Sequence, residues 1–259
     1  MSNTPVLPPL SPNAWLRWDV VERLVPAGTR SILEIGCGQG SMGVRLAVGR
    51  DYLGVEPDST SCAVAQERAK AAGSGEVRNG RVEDVVEPGR QFDLVCAFEV
   101  IEHIQDDVAA LTAWTQYVRP GGAVLLSTPA FAHRYGASDA MVGHYRRYDP
   151  RELDALFTSS GLVDPHTVVY GAGLGHALEN VRNVLGARRL RKRGLPVPKG
   201  SPAGIDLDTM AELTSGSGRL FQPPAAAANA VRVGTYPWRV LQRQLPARGT
   251  GLVGIARKP

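Results

Sequence analysis

Cysteine is scarce in this chain. Three occur in 259 residues, at positions 37, 62 and 96, and they form no CxxC pair and no zinc-binding spacing. An odd, sparse set excludes a disulfide-stapled fold and suits a reducing cytoplasm. No apolar run reaches the roughly 18 residues that a membrane span needs. The first residues, MSNTPVLPPLSPN, lack the basic start and apolar centre of a secretion signal. No internal repeat is visible, which argues against a solenoid or propeller. Low hydrophobicity is also absent: 43% of residues are hydrophobic and 21% charged, enough apolar material for a full core. Disorder is excluded on the same ground.

The formal net charge of +4 conceals a division. Residues 1–130 carry eleven Lys and Arg against sixteen Asp and Glu, whereas residues 131–259 carry eighteen against nine. The first half is acidic and the second basic. A pI near 9.1 is then weak evidence for nucleic acid, and a solvated basic face is the ordinary explanation.

Residues 1–13 are rich in proline and read as a flexible lead-in. Helical spacing runs through 14–25 and stops at Pro26 and Gly28. Apolar strands are expected at 31–36, 52–56, 92–98 and 123–128, with a weaker one across Glu76–Val82. Helices are expected from Pro57-Asp58-Ser59 to Gly73, and over 106–118, where Pro120-Gly121-Gly122 closes the segment. Asp149-Pro150-Arg151-Glu152 has the form of a capping box that opens another helix, ending at Gly161. A strand at 163–170 and a helix at 175–190 follow. Residues 191–224 lose periodicity and read as an insertion or mobile loop. Residues 225–245 are helical in part, interrupted at Pro237, and 250–258 form a final strand. Strands alternating with helices imply a doubly wound, mostly parallel α/β sheet covered on both faces.

The strongest local signal is Leu33-Glu34-Ile35-Gly36-Cys37-Gly38-Gln39-Gly40 between a strand and a helix. Such glycines permit a tight turn and close approach of a ligand to the backbone, and the following helix start offers N–H groups. Glu56, ending the next strand, stands where an acid can bind ribose hydroxyls. An adenosine-containing cofactor follows. Gly38, Gly40 and Gly43 also satisfy the dinucleotide pattern GxGxxG, so an NAD-dependent oxidoreductase is the rival. Glu34 argues against it. A carboxylate there would repel a pyrophosphate but can answer the α-ammonium of S-adenosylmethionine (SAM).

With those motifs in order, the chain resembles the class I SAM-dependent methyltransferases. The resemblance rests on ILEIGCGQG, LGVEPD, RVED, FDLVCAFEVIEHI and RPGGAVLLSTP, across about residues 14–170. It implies one Rossmann-like domain over 1–259, with a seven-stranded sheet whose last strand is antiparallel. It implies that Glu34, Gly36, Gly38 and Gly40 hold the methionine part of SAM. Glu56 would take the ribose, and Pro57 and Asp58 would shape the adenine edge. Val82 and Glu83 would flank the adenine, with Arg81 standing where many relatives carry an acid. Arg17 would meet the cofactor carboxylate, and Phe98 and Glu99 would line the same pocket.

Glu99-Val100-Ile101-Glu102-His103 follows the strand expected to end beside the transferring methyl. His103 is a candidate general base, because an unperturbed imidazole titrates near working pH. ExxEH is similar to ubiquinone-biosynthesis O-methyltransferases and small-RNA 2′-O-methyltransferases. Some of these use two carboxylates and two histidines to hold a divalent ion, with His144 the later histidine here. The surrounding sequence differs, and no metal ligand is assigned. His144, in Gly143-His144-Tyr145-Arg146-Arg147-Tyr148, is a second catalytic candidate aimed at the acceptor. Arg146 and Arg147 could attract an anionic acceptor, although a solvated pair is the commoner arrangement.

The expectation is therefore methyl transfer from SAM to a small molecule, at oxygen, by in-line displacement in a cytoplasmic protein. An RNA 2′-O-methyltransferase is the alternative, though no nucleic-acid partner is expected. The basic helix end Arg188–Arg193 is compatible with peripheral contact to an anionic membrane. Oligomeric state and acceptor identity are not legible.

Overall fold

In the computed structural model, residues 6–198, 200 and 223–259 are described. Seven strands make one sheet in the order β3-β2-β1-β4-β5-β7-β6. The strands are β1 (Ser31–Ile35), β2 (Asp51–Glu56), β3 (Glu76–Asn79), β4 (Phe92–Phe98), β5 (Val118–Pro129), β6 (Val163–Tyr170) and β7 (Gly251–Arg257). β1 to β5 pair in parallel, and β7 lies antiparallel between β5 and β6. The chain order reverses between β1 and β4, and their carboxyl ends open the crevice where ligands bind in such sheets.

The central strands are apolar throughout because both faces are covered. Leu33 and Ile35 of β1 join one buried cluster with Val95, Val124 and Phe157. Ile32 of β1 joins the other with Leu94, Leu125 and Trp15. The helices are α1 (Pro12–Leu24), α2 (Gly43–Ala47), α3 (Ser59–Ala72), α4 (Val82–Val85), α5 (Asp107–Thr115), α6 (Ala137–Met141), α7 (Pro150–Ser159), α8 (Leu174–Lys192), α9 (Ala228–Gly234) and α10 (Tyr236–Gln244).

Several expected boundaries move, each for a local reason. The lead-in is docked from residue 8: Pro8 O accepts from Arg45, Leu10 is buried, and Ser11 caps α1. α5 stops at Thr115, and Pro120-Gly121-Gly122 belongs to β5 instead of closing a helix. The cause is pairing beside β7: Gly121 N donates to Lys258 O at 3.0 Å, and Lys258 N donates to Gly122 O at 2.9 Å. The weak strand ends at Asn79, and Val82 opens the single turn α4. The break after residue 225 falls at Thr235, not Pro237, which sits in the first turn of α10, where a missing N–H costs little. α8 runs on to Lys192, and Leu195 and Val197 pack against a cluster containing Tyr135 and Leu190. The rest of the expected insertion, residues 199 and 201–222, lies outside the described residues, as do residues 1–5. The capping box at Asp149 and Glu152 forms, and the three cysteines are free and buried.

Candidate functional site

The carboxyl end of β1 turns through Gly36, whose φ of +68° suits glycine and whose place lies against Val100: a Cβ would come within 2.7 Å of it. Gly38 and Gly40 also have positive φ. Gly38 N donates to Glu56 Oε2 at 2.8 Å, and Asp58 N donates to Glu56 Oε1 at 2.9 Å. The carboxylate thus ties the glycine turn to the end of β2. Burial raises the Glu56 pKa, while those two backbone donors oppose the shift. The five-residue α2 begins only at Gly43, so the glycines lead into a loop and not straight into a helix N-terminus. A Cβ at Gly43 would collide with Tyr52 Oη and the Glu34 carboxylate.

Glu34 is 2% exposed and accepts from Tyr52 Oη at 2.6 Å. Burial pushes its pKa up to about 8, against the pull of Tyr52 and of Arg17. Arg17 reaches in from α1: its Nε donates to Tyr170 Oη at 3.1 Å, and its terminal nitrogen lies 3.4 Å from Glu99. Burial opposes its charge, but Glu99, Tyr170 and Glu102 outweigh that and keep the guanidinium protonated. Phe98 is buried at the end of β4. Glu99 takes φ +59°, an uncommon conformation for a residue with a side chain, and accepts from Ser127 Oγ at 3.1 Å.

The residues expected at the adenine edge make the following contacts. Asp58 caps α3 by accepting from Ser61 N at 3.0 Å. Pro57 is exposed, and its carbonyl accepts from Asn79, which also bonds Glu56 O. Asn79 therefore braces the end of β2, a role the sequence pattern did not signal. Val82 points into the core, and Glu83 lies outside, 3.6 Å from the exposed Arg81.

On the other side of the crevice a 3₁₀ turn, Ile101–His103, buries Glu102 completely. Neither Glu102 carboxylate oxygen has a hydrogen-bond partner, nor does His103 Nδ1. Thr128 is near enough to influence Glu102, but its hydroxyl makes no hydrogen bond of good geometry. Burial, with Glu99 beside it, drives the Glu102 pKa well up. His144 Nε2 lies 3.8 Å from Glu102 Oε1, and its ring stands edge-on to His103 with centroids 4.6 Å apart. Ligand atoms of Glu102, His103 and His144 lie within 4.8 Å of one another. Glu99 is turned away toward Arg17 and Ser127, so one carboxylate, not two, joins the histidines.

His103 meets a condition that its sequence does not reveal. Burial, then the neighbouring His144, pushes its pKa down to about 3, so it is neutral at working pH and a weak base. The reason first given for it, an ordinary imidazole pKa, does not hold in this environment. His144 is placed otherwise. Its Nδ1 lies 2.9 Å from Asp139 Oδ1. Burial would raise Asp139, but bonds from His144 and Arg147 hold it down to about 2. An ionised Asp139 accepts from Nδ1–H, which orients the ring with Nε2 toward Glu102.

Arg147 is not solvated: it is 5% exposed, bonds Asp139 through Nε and a terminal nitrogen at 2.9 and 2.8 Å, and reaches Glu179 of α8 at 2.5 Å. Arg134 pairs with the same Glu179. Arg146 is bound by Asp107 at 2.8 Å and by Gln105 O. Neither arginine is free to attract an acceptor. Asp139 and Glu179 were missed in the sequence, since nothing local marks two acids 40 residues apart as partners of one arginine.

A family model described as a methyltransferase domain matches residues 13–166. The chain belongs to that family, the class I SAM-dependent methyltransferases, whose cofactor is SAM. It is 33% identical over 165 residues to a ubiquinone biosynthesis O-methyltransferase of Methylobacterium nodulans, covering 57% of this chain and 66% of that one. It is 31% identical over 170 residues to a SAM-dependent methyltransferase of Mycolicibacterium smegmatis, covering 62% and 65%. It thus spans somewhat less than two thirds of these curated relatives. In fold it is similar to Haemonchus contortus phosphoethanolamine N-methyltransferase 2 in complex with SAM, with TM-score 0.56 and 18% identity over 97% of this chain and 54% of that one. Among the described residues no helix is long and apolar enough to cross a membrane.

Proposed function

We propose that the chain is one methyltransferase domain that moves the methyl group of SAM to an oxygen of a small-molecule acceptor. The observation that carries this is the division of the crevice. Glu34 and Glu56 stand with the glycine turn at the ends of β1 and β2, and Glu102, His103 and His144 stand beyond the end of β4. The first group fits the ammonium and ribose of SAM, with the backbone of Gly36, Gly38 and Gly40 offered to the methionine part. Arg17, paired with Glu99, is near enough to influence both Glu34 and Glu102 and so stands between the two groups. The relatives named as O-methyltransferases favour oxygen.

In the step proposed, an acceptor oxygen attacks the methyl carbon in line with the C–S bond. The C–O bond forms as the C–S bond breaks, the sulfur keeps the electron pair, and S-adenosylhomocysteine leaves. The hydroxyl proton goes to His144 Nε2, whose ring Asp139 orients. The sulfonium is already activated, so the protein's work is alignment, exclusion of water and proton removal. His103 contributes a neutral ring against His144 and no charge.

A second reading has its own observation. Two buried carboxylate oxygens without hydrogen bonds, beside two imidazoles, are the donor set that a divalent cation satisfies. Glu102, His103 and His144 would hold it, and when bound it would lower the pKa of an acceptor hydroxyl. Calorimetric titration with SAM and with NAD, then turnover of labelled SAM against a panel of phenols, catechols and amines before and after chelation, tests both. Methyl on oxygen with chelator-resistant turnover supports the first reading, and chelator-sensitive turnover the second. NAD binding with no response to SAM, or methyl on nitrogen alone, rejects both.

A further inference from the structure

We propose that the outer face of α8 and α10 docks on an anionic lipid surface, beside the mouth of the crevice. This goes beyond the methyl-transfer reading and holds whatever the acceptor atom.

The orientation of α8 is fixed from within. Glu179 is held by Arg134 and Arg147, Leu190 is buried, and Gly186 lies so close to Ala137 that a Cβ would come within 2.8 Å of its carbonyl oxygen. The opposite face is therefore committed outward. On it Val181, Val184 and Leu185 are 59%, 55% and 47% exposed, in the i, i+3, i+4 spacing of one helical stripe, which continues into Arg188 and Lys192.

α10 is turned against the usual rule. Its one buried residue is polar: Gln242 donates to Leu16 O at 3.0 Å and to Asp19 at 3.2 Å, and the exposed Arg243 also donates to Asp19 at 3.1 Å. Its apolar residues Trp238 and Leu241 stay more than a third exposed. A helix in a soluble domain normally buries that side. The Trp238 ring lies over Gly173, where a Cβ would come within 2.5 Å of it, so α10 abuts the start of α8. Both helices meet the sheet at the edge where β6 ends and β7 begins. Tyr170, the last residue of β6, bonds Arg17 in the crevice.

Charge selects the partner. Residues 174–193 and 236–244 carry eight Lys and Arg, of which Arg243 is paired with Asp19, and one acid, the buried Glu179. Two copies meeting through this surface would set cation against cation. A nucleic acid would use the cations but leave the aliphatic stripe without a role. An anionic bilayer uses both: arginines at the headgroups, and valine, leucine and tryptophan at the acyl boundary. Docked this way, the crevice would open toward the lipid, and a lipophilic acceptor would enter without crossing bulk water.

The test is co-sedimentation of the full chain with vesicles of phosphatidylcholine alone and of phosphatidylcholine with phosphatidylglycerol. Retention on the anionic vesicles should exceed that on the neutral ones by about tenfold or more and fall with salt. Val181→Asp with Leu185→Asp should cut it about tenfold, as should Arg188→Glu with Lys192→Glu, while SAM affinity stays unchanged in both. The second pair alters only exposed charges, so a folding failure in the first leaves the test intact. No retention on anionic vesicles at low salt would overturn the proposal. So would retention indifferent to both pairs, a dimer that the aspartates dissolve, or tighter binding to single-stranded RNA than to the vesicles.

Discussion

The two sides of the crevice are held in different ways. On the proposed cofactor side, carboxylates meet backbone N–H groups and a phenol carried by neighbouring strands and their turns: Glu56 takes Gly38 and Asp58, and Glu34 takes Tyr52. On the acceptor side, acids meet arginines carried by separate elements: Asp139 of α6 and Glu179 of α8 share Arg147. The first side is a product of strand ends and one turn. The second is assembled only when α6, α8 and the 144–148 segment come together. The difference implies that the two sides respond differently to mutation.

The largest expected effect is on the acceptor side. Arg147→Ala leaves Asp139 and Glu179 buried with fewer partners, which should cost about 3–5 kcal/mol in denaturant unfolding. Arg147→Lys should recover only part of this, since an ammonium cannot make the fork of bonds to both acids. An Arg147→Ala protein as stable as the native one would show that the two sides are not held differently.

Next in size, Glu34→Gln removes the carboxyl group proposed to ionise against the SAM ammonium when the cofactor binds. Its calorimetric affinity for SAM should fall by about 2–3 kcal/mol, a factor of tens or more. Stability should move the other way. In the ligand-free chain Glu34 holds its proton up to about pH 8, whereas the unfolded chain loses it near 4.5. The native state thus binds more protons between those values, and stability falls as pH rises through that window. Buried Glu102, shifted in the same direction, adds to the slope. Melting temperature against pH should be flatter in Glu34→Gln than in the native chain.

The smallest effect belongs to Asp58. Because it caps α3, Asp58→Ala should cost about 1 kcal/mol of stability, with SAM affinity changed less than by Glu34→Gln. A large affinity loss without a stability loss would favour direct contact of Asp58 with the adenine over its role as a cap.

What was legible in the sequence follows the same line. β4 begins and ends where the apolar pattern does, because a buried strand is a local property. Glu34 and Glu56 were singled out because each ends or nearly ends an apolar strand beside a turn that the sequence marks with Gly36-Cys37-Gly38 or Pro57-Asp58. Arg147 was misread as solvated because its partners lie 8 and 32 residues distant and on different helices. β5 was read too short because its first residues pair through Lys258, at the far end of the chain. His103 was given an ordinary pKa because burial is a tertiary fact.

The central claim is that binding SAM and removing the acceptor proton belong to separate sides of one crevice. His144→Ala measures this most directly, with SAM affinity by calorimetry and methyl turnover taken on one preparation. The expected result is SAM affinity within about threefold of the native chain and turnover lowered by about 100-fold or more. Loss of both together, or turnover untouched, would contradict it.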